Sequence, residues 1–378
     1  MTEYAIYLLD QDRNRIAQVE HFRRATFIKR FNDLGSWALE LDVDSDEFSL
    51  LDWMCGIEIL RDEEAFMEGY YFGFDESGIE PGVDTTTILG PDLMMFLATR
   101  VAVTDPAGPP YSTFEHDVRT GAAGDIIKEY VTYNAGPLAA ATRRWSPLAV
   151  AAANGIGETI TGRARFDNLL ALCQKLALDG GDIQFHFSGT TFDCKVLTDK
   201  TSSIIFSRDL ENILNVSRRV EAPQTNYIYA GGQGEGVARE FFEVQDSQSV
   251  LDFGRIEEFY DYRQATGEEL YTASLGRLEE KKSKTAIEVK TVNTPSIQYG
   301  RDYEIGDIVK VIVNEDETYD HPVREVKVDL TSTGEQVSEE IVLVTGSAKA
   351  RLMIEEANRL TPFQSKGFEG RMHIMESI

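Results

Sequence analysis

Short runs of alternating apolar and polar residues, broken every few positions by turn-forming residues, constrain this chain more than any other feature of its sequence. A period of two places one face of an extended strand in a core and the other in water, and a helix cannot satisfy it. Trp37, Leu39, Leu41 and Val43 alternate with Ala38, Glu40 and Asp42 directly after Asn32-Asp33-Leu34-Gly35, which reads as a strand leaving a hairpin turn. Arg324, Val326, Val328 and Leu330 likewise share one face, with Val323, Glu325, Lys327 and Asp329 on the other. Segments 56–61 and 65–73 read as a second hairpin around Asp62-Glu63-Glu64, and further strands are expected at 4–9, 25–31, 85–89, 183–187, 191–197, 203–207, 226–231, 285–293, 305–313 and 337–345. The run 308–313 is apolar on both faces except at Lys310, which calls for cover by a second sheet or by a neighbouring subunit.

Helical spacing is rarer. Phe166, Leu169, Leu170, Cys173, Leu176 and Ala177 fall on one face of a helix over 167–178, and Gly180-Gly181 supply a left-handed stop. Shorter helices are expected at 92–99 and 125–133, a charged one at 268–284, and another at 349–360 before Thr361-Pro362. The fold class is therefore α+β, mostly β. A chain of 378 residues exceeds one ordinary core, and Pro and Gly crowd together between Thr104 and Pro110. The expected division is a β-rich domain at 1–104, an inserted α+β domain at 105–203, a second β-rich domain at 204–348 and a C-terminal helix and tail at 349–378.

Chemistry is hard to find. Against 37 basic residues stand 64 acidic ones, a formal charge of −27 that repels nucleic acid instead of gripping it. No apolar run is long enough for a bilayer span, and residues 1–10 lack the basic start of a secretory leader, so no membrane anchor is expected. Cys55, Cys173 and Cys194 stand far apart and read as buried thiols in a reducing compartment. The five histidines form no close pair, and no nucleophile elbow, Walker loop or zinc-binding helix motif is present. Asp42, Asp44 and Asp46 begin like a calcium loop, but Glu47 and Trp53 occupy the positions that need glycine and glutamate. Gly231-Gly232-Gln233-Gly234-Glu235-Gly236 would need glycine at Val237 to bind a dinucleotide, so a turn with positive φ is expected. No catalytic residue, cofactor or metal ligand is nominated, and no enzyme is expected. One feature interrupts the acidic field: Arg13, Arg15, Arg23, Arg24, Lys29 and Arg30 face Glu20 alone. Arg23, Arg24 and Arg30 are candidates for a subunit contact against an acidic neighbour such as 42–68; two separately solvated faces explain them equally well.

Segments in fixed order carry a family likeness. Phe31-Asn32-Asp33-Leu34-Gly35-Ser36-Trp37-Ala38-Leu39, the helix at 166–178 with Gly180-Gly181, Asn226-Tyr227-Ile228-Tyr229-Ala230-Gly231-Gly232-Gln233-Gly234-Glu235-Gly236-Val237-Ala238-Arg239, and Tyr303-Glu304-Ile305-Gly306-Asp307-Ile308-Val309-Lys310-Val311 together resemble the siphovirus tail hub, or baseplate hub, proteins. That family is related to the N-terminal hub region of tail-associated lysins. The resemblance implies a virion structural protein of the tail tip, assembled in the host cytoplasm, in which three copies form a ring. β-Barrel-like domains would continue the tail tube, with the inserted α+β domain outside, and DNA would pass the lumen without specific binding. Its partners would be neighbouring tail proteins: a distal tail protein, the tape measure, and a tail fibre or lysin. Two other readings stay open. A receptor- or cell-wall-carbohydrate-binding tail module should expose an aromatic-rich cluster, and a peptidoglycan hydrolase would need a carboxylate pair that the 64 acids leave unidentified.

Overall fold

In the computed structural model, residues 3–42, 50–75, 85–291, 294, 296–314, 317–333 and 336–345 are described. The chain is mostly β, with several sheets and few helices, as the alternating runs require. None of the sheets among the described residues closes into a barrel. Residues 1–215 with 289–345 form one compact unit, and residues 216–288 belong to a second.

The first unit opens with β1 (Tyr4–Leu9), β2 (Arg15–Gln18), the hairpin β3 (Arg24–Arg30) and β4 (Ser36–Asp42), and the hairpin β5 (Gly56–Arg61) and β6 (Glu64–Tyr70). Asp62 and Glu63 both take positive φ, the twist a two-residue hairpin demands. There follow β7 (Gly73–Asp75), β8 (Thr85–Pro91), the single turn α1 (Met95–Ala98), β9 (Val101–Ala102), β10 (Asp117–Ala122) and α2 (Ala123–Asn134). Then come β11 (Ala149–Val150), β12 (Thr159–Ala164), β13 (Asp167–Asn168), α3 (Leu169–Asp179), the hairpin β14 (Gln184–Ser188) and β15 (Thr191–Lys195), and β16 (Ile205–Ser207). The chain leaves through β17 (Ile213–Glu221).

The second unit holds β18 (Tyr227–Gly231), β19 (Phe241–Gln245), α4 (Ser247–Phe253), β20 (Glu257–Asp261) and α5 (Gly267–Lys281). β21 (Lys284–Thr291), paired with β17, leads back to β22 (Ile308–Asn314), β23 (Glu317–Thr333) and β24 (Gln336–Thr345) of the first unit.

Two sheets dominate the first unit. One runs β2-β1-β5-β6; the other runs β16-β22-β23-β3-β4-β8-β7 with β24 also on β23. The larger sheet joins the two ends of the chain, since Val328 stands opposite Phe27 and Val326 opposite Lys29. Phe27, Trp37, Leu39, Leu41, Val326, Val328 and Leu330 are fully buried, so the alternation of β3, β4 and β23 points inward together. A separate core gathers around α2 and α3, with Ile126, Ile127, Tyr130, Leu169, Cys173, Leu176, Phe185 and Phe192 in it. Trp145 stacks on Phe96 with centroids 3.8 Å apart and donates to Tyr70 Oη at 3.2 Å, which ties this core to β6 and α1. Of the expected helix face, Phe166 is the exception: it is exposed at φ 59°, two residues before the Asn168 cap. The helix expected at 92–99 shrinks to α1, and the one at 349–360 lies outside the described residues.

Candidate functional site

The basic stripe is distributed among carboxylates that the β-pairing brings alongside. Arg13 pairs with Glu68, and Arg15 lies 2.6 Å from Glu58 and 4.1 Å from the Tyr7 ring. Arg23 meets Asp42 at 2.8 Å, Arg24 meets Asp329 at 3.2 Å, and Arg30 meets Glu325 at 2.7 Å while donating to Leu34 O. The antiparallel register of β3 on β23 sets Arg30 opposite Glu325 and Arg24 diagonal to Asp329. Partners so far off in sequence leave no local signal. Arg23 and Arg24 keep about half of their side chains exposed, 48% and 54%, whereas Arg30 keeps 15%. Asp42 is the described part of the acidic stretch that Arg23 meets, and it belongs to the same chain.

β22 sits between β16 and β23, with Val309 and Val311 buried and Ile308, Lys310 and Ile312 half-buried. Its outer face is thus partly covered within the unit itself.

The recurrent motifs hold the fold. Asn32, at φ 54°, donates from Nδ2 to Ile183 O at 2.7 Å and accepts from Phe185 N at 2.8 Å, while Gln174 Nε2 donates to its carbonyl at 2.9 Å. The β3–β4 turn is thereby fastened to α3 and β14. In the segment before β22, Asp307 accepts from Glu304 N at 2.8 Å and pairs with Lys200 at 2.9 Å, and Gly306 takes φ 90°. The glycine-rich loop of the second unit folds back on itself: Gly234 and Gly236 have φ 103° and 56°, and Arg239 donates to Gly232 O at 3.1 Å and Gly231 O at 2.9 Å. A Cβ at Gly231 would stand 2.6 Å from the Arg239 guanidinium, so the missing side chain here lets the guanidinium approach this closely.

A cleft of about 310 Å³ in the first unit was not foreseen from the sequence. Lys29, Asp92, Gln184, His186, Lys195 and Glu304 line it. Desolvation raises the Asp92 carboxyl to about 7 and lowers Lys29 and His186 from their ordinary values. Gln184 Oε1 and His186 Nδ1 are buried without a hydrogen-bond partner. Among the described residues no group of three or more His, Cys, Asp or Glu could hold a metal ion, and no helix is long and apolar enough to cross a membrane.

Three solved structures share the fold across nearly their whole length. A tail protein from Neisseria meningitidis is 14% identical, with 92% of this chain and 98% of that one covered at a TM-score of 0.56. Prophage tail protein gp18 from Listeria monocytogenes is 14% identical, with 94% and 99% covered at 0.53. The 43 kDa tail protein of prophage MuSo2 from Shewanella oneidensis is 14% identical, with 93% and 99% covered at 0.58. No curated protein sequence matches the chain. The model of the Siphovirus ReqiPepy6 Gp37-like proteins matches residues 5–342, nearly the whole chain; the chain belongs to that family and is a structural component of a phage tail.

Proposed function

We propose that this tail protein is a baseplate hub subunit of the tail tip, three copies of which form a ring that continues the tail tube. The observation that carries the reading is the family match over residues 5–342 in a chain with a formal charge of −27. A conduit for DNA works by repelling phosphates, because neutralising them would retain the polymer. In this reading the tube wall comes from the β-rich stretches 1–104 and 204–348, and 105–203 lies outside. Neighbours above and below would be a distal tail protein, the tape measure, and a fibre or lysin. The protein acts as a structural part without catalytic residues. Arg23 and Arg24, half exposed beside their own carboxylates as Arg15 also is, are the members of the stripe proposed to reach a neighbouring copy.

Light scattering over a range of concentrations tests this. A particle of about three times 42.4 kDa is expected. A strict monomer, both alone and with the adjoining tail proteins added, overturns the ring.

A further inference from the structure

Among the described residues, the sheet of the second unit, ordered β19-β18-β20, is covered on one face only. Ile228, Ala230 and Val244 pack with Leu270 and Leu278 of α5 to form that covered face. By alternation the opposite face carries Tyr227 and Tyr229 from β18, Phe241 and Glu243 from β19, and Glu257, Phe259 and Asp261 from β20. Phe241 and Phe259 are 57% and 53% exposed, an unusual state for two phenylalanines on one three-stranded sheet.

Their surroundings are densely bonded and electrically balanced. Arg239, only 13% exposed, lies 5.5 Å from both ring centroids and is held by Gly231 O, Gly232 O and the Asp261 carboxylate. Arg255 lies 3.6 Å from the Tyr227 centroid, bonds Glu257 at 2.6 Å and donates to Tyr229 Oη at 2.5 Å. Tyr227 Oη donates to Glu243, and Arg263 pairs with Asp261 at 3.2 Å. Arg239, Arg255 and Arg263 thus balance Glu243, Glu257 and Asp261 on a molecule that is otherwise strongly acidic.

We propose that this open face binds a neutral oligosaccharide. The charge balance selects the ligand class. A polyanion meets no net positive charge here, and a polycation finds Asp261 and Glu257 already paired with arginines and Glu243 engaged by the Tyr227 hydroxyl. Sugar hydroxyls donate and accept at once, so they can join planar guanidinium–carboxylate pairs without breaking them. The apolar C–H face of a sugar ring can lie on Phe241 and Phe259, whose positions are fixed in advance by Arg239 and lose little freedom on binding. The glycine-rich loop gains a purpose in this account, since its fold is what delivers Arg239 to Gly231. The proposal does not depend on the ring, because a monomer would bind equally well.

Isothermal titration of the full chain with chitohexaose, maltohexaose and mannohexaose tests it, with dextran sulfate as the charged comparison. At least one neutral hexasaccharide should bind with an affinity that does not change between low and high salt. The double variant Phe241→Ala with Phe259→Ala should weaken it at least about tenfold. Tyr271→Ala, on α5 behind the sheet, should leave binding as it is, and unchanged circular dichroism would show that the double variant is folded. Absence of binding by all three sugars, preference for dextran sulfate, or binding indifferent to the double variant overturns the proposal. So does a double variant that alters the mass of the particle and not sugar binding, which assigns the face to a protein contact.

Discussion

Single side chains fasten this molecule at points remote in sequence, and Asn32 is the clearest case. Its amide bridges Ile183 O and Phe185 N while its backbone holds positive φ, a conformation asparagine tolerates better than most residues. Replacing Asn32 by alanine strands two buried backbone groups and adds strain, so a loss of about 2–4 kcal/mol is expected in urea unfolding. Asn32→Gly relieves the strain and should lose less; an equal loss would remove the backbone from the explanation. Asp92 behaves differently because its cost depends on pH. Its carboxyl is raised to about 7 by burial, so the folded state favours the protonated form. Between roughly pH 4 and 7 the unfolded chain releases this proton first, and stability falls as pH rises through that window. Backbone N–H groups soften the effect, since Met94 N donates to the carboxylate at 3.0 Å. Asp92→Asn keeps the acceptor and removes the charge. Its stability relative to the parent should therefore improve by about 1–3 kcal/mol between pH 4.5 and 8. A parallel pH course in the two proteins would refute the assignment.

Among elements, those with a buried, strictly alternating face were legible in the sequence. β4 and β23 follow from Trp37-Leu39-Leu41 and Val326-Val328-Leu330, all of which are buried, and the hairpins at Asn32 and Asp62 follow from their turn residues. β10 and β12 left no such trace. Val118 is exposed on β10, and Arg119 and Arg163 occupy neighbouring strands, so neither carries the apolar face that periodicity detects. The pairing of β3 with β23 was equally hidden, because registry between segments three hundred residues apart is set by packing and not by local pattern. The same distance hid the partners of Arg24 and Arg30, so the basic stripe was visible as charge but not as cross-strand pairs. The end of α3 shows what a sequence reading can blur. Only Gly181, at φ 96°, provides the left-handed turn; Gly180 has negative φ and is needed because a Cβ there would overlap Ala123 Cβ on α2. Gly180→Ala should cost about 1–3 kcal/mol through overpacking, and adding Ala123→Gly should restore part of it. Purely additive losses in that pair would show that the helix–helix approach is not the cause.

For the whole molecule, charge sets the terms of assembly. In the proposed ring, three copies would bring together about three times a net charge of −27, so it would persist only where apolar contact or local complementarity outweighs repulsion. Arg23 and Arg24 are suited to that role by exposure, while Arg30 is committed to Glu325 inside the sheet. Each already has a carboxylate within its own chain, so a neighbour would share the guanidinium and not capture it; arginine, with five donors, can serve both. Reversal of Arg23 and Arg24 to glutamate adds repulsion within the chain as well as between copies, and the two effects must be separated. Thermal unfolding of the dilute monomer reads the first, and exposed pairs of this kind contribute under about 1 kcal/mol each, so a shift of only a few degrees is expected. Sedimentation at low and high ionic strength reads the second. The double reversal should dissociate the ring in low salt and weaken it much less in high salt, where screening shortens the reach of every exposed charge to under about 10 Å. An oligomer unchanged at low salt would take the stripe out of the interface and leave apolar contact as the force that holds the copies together.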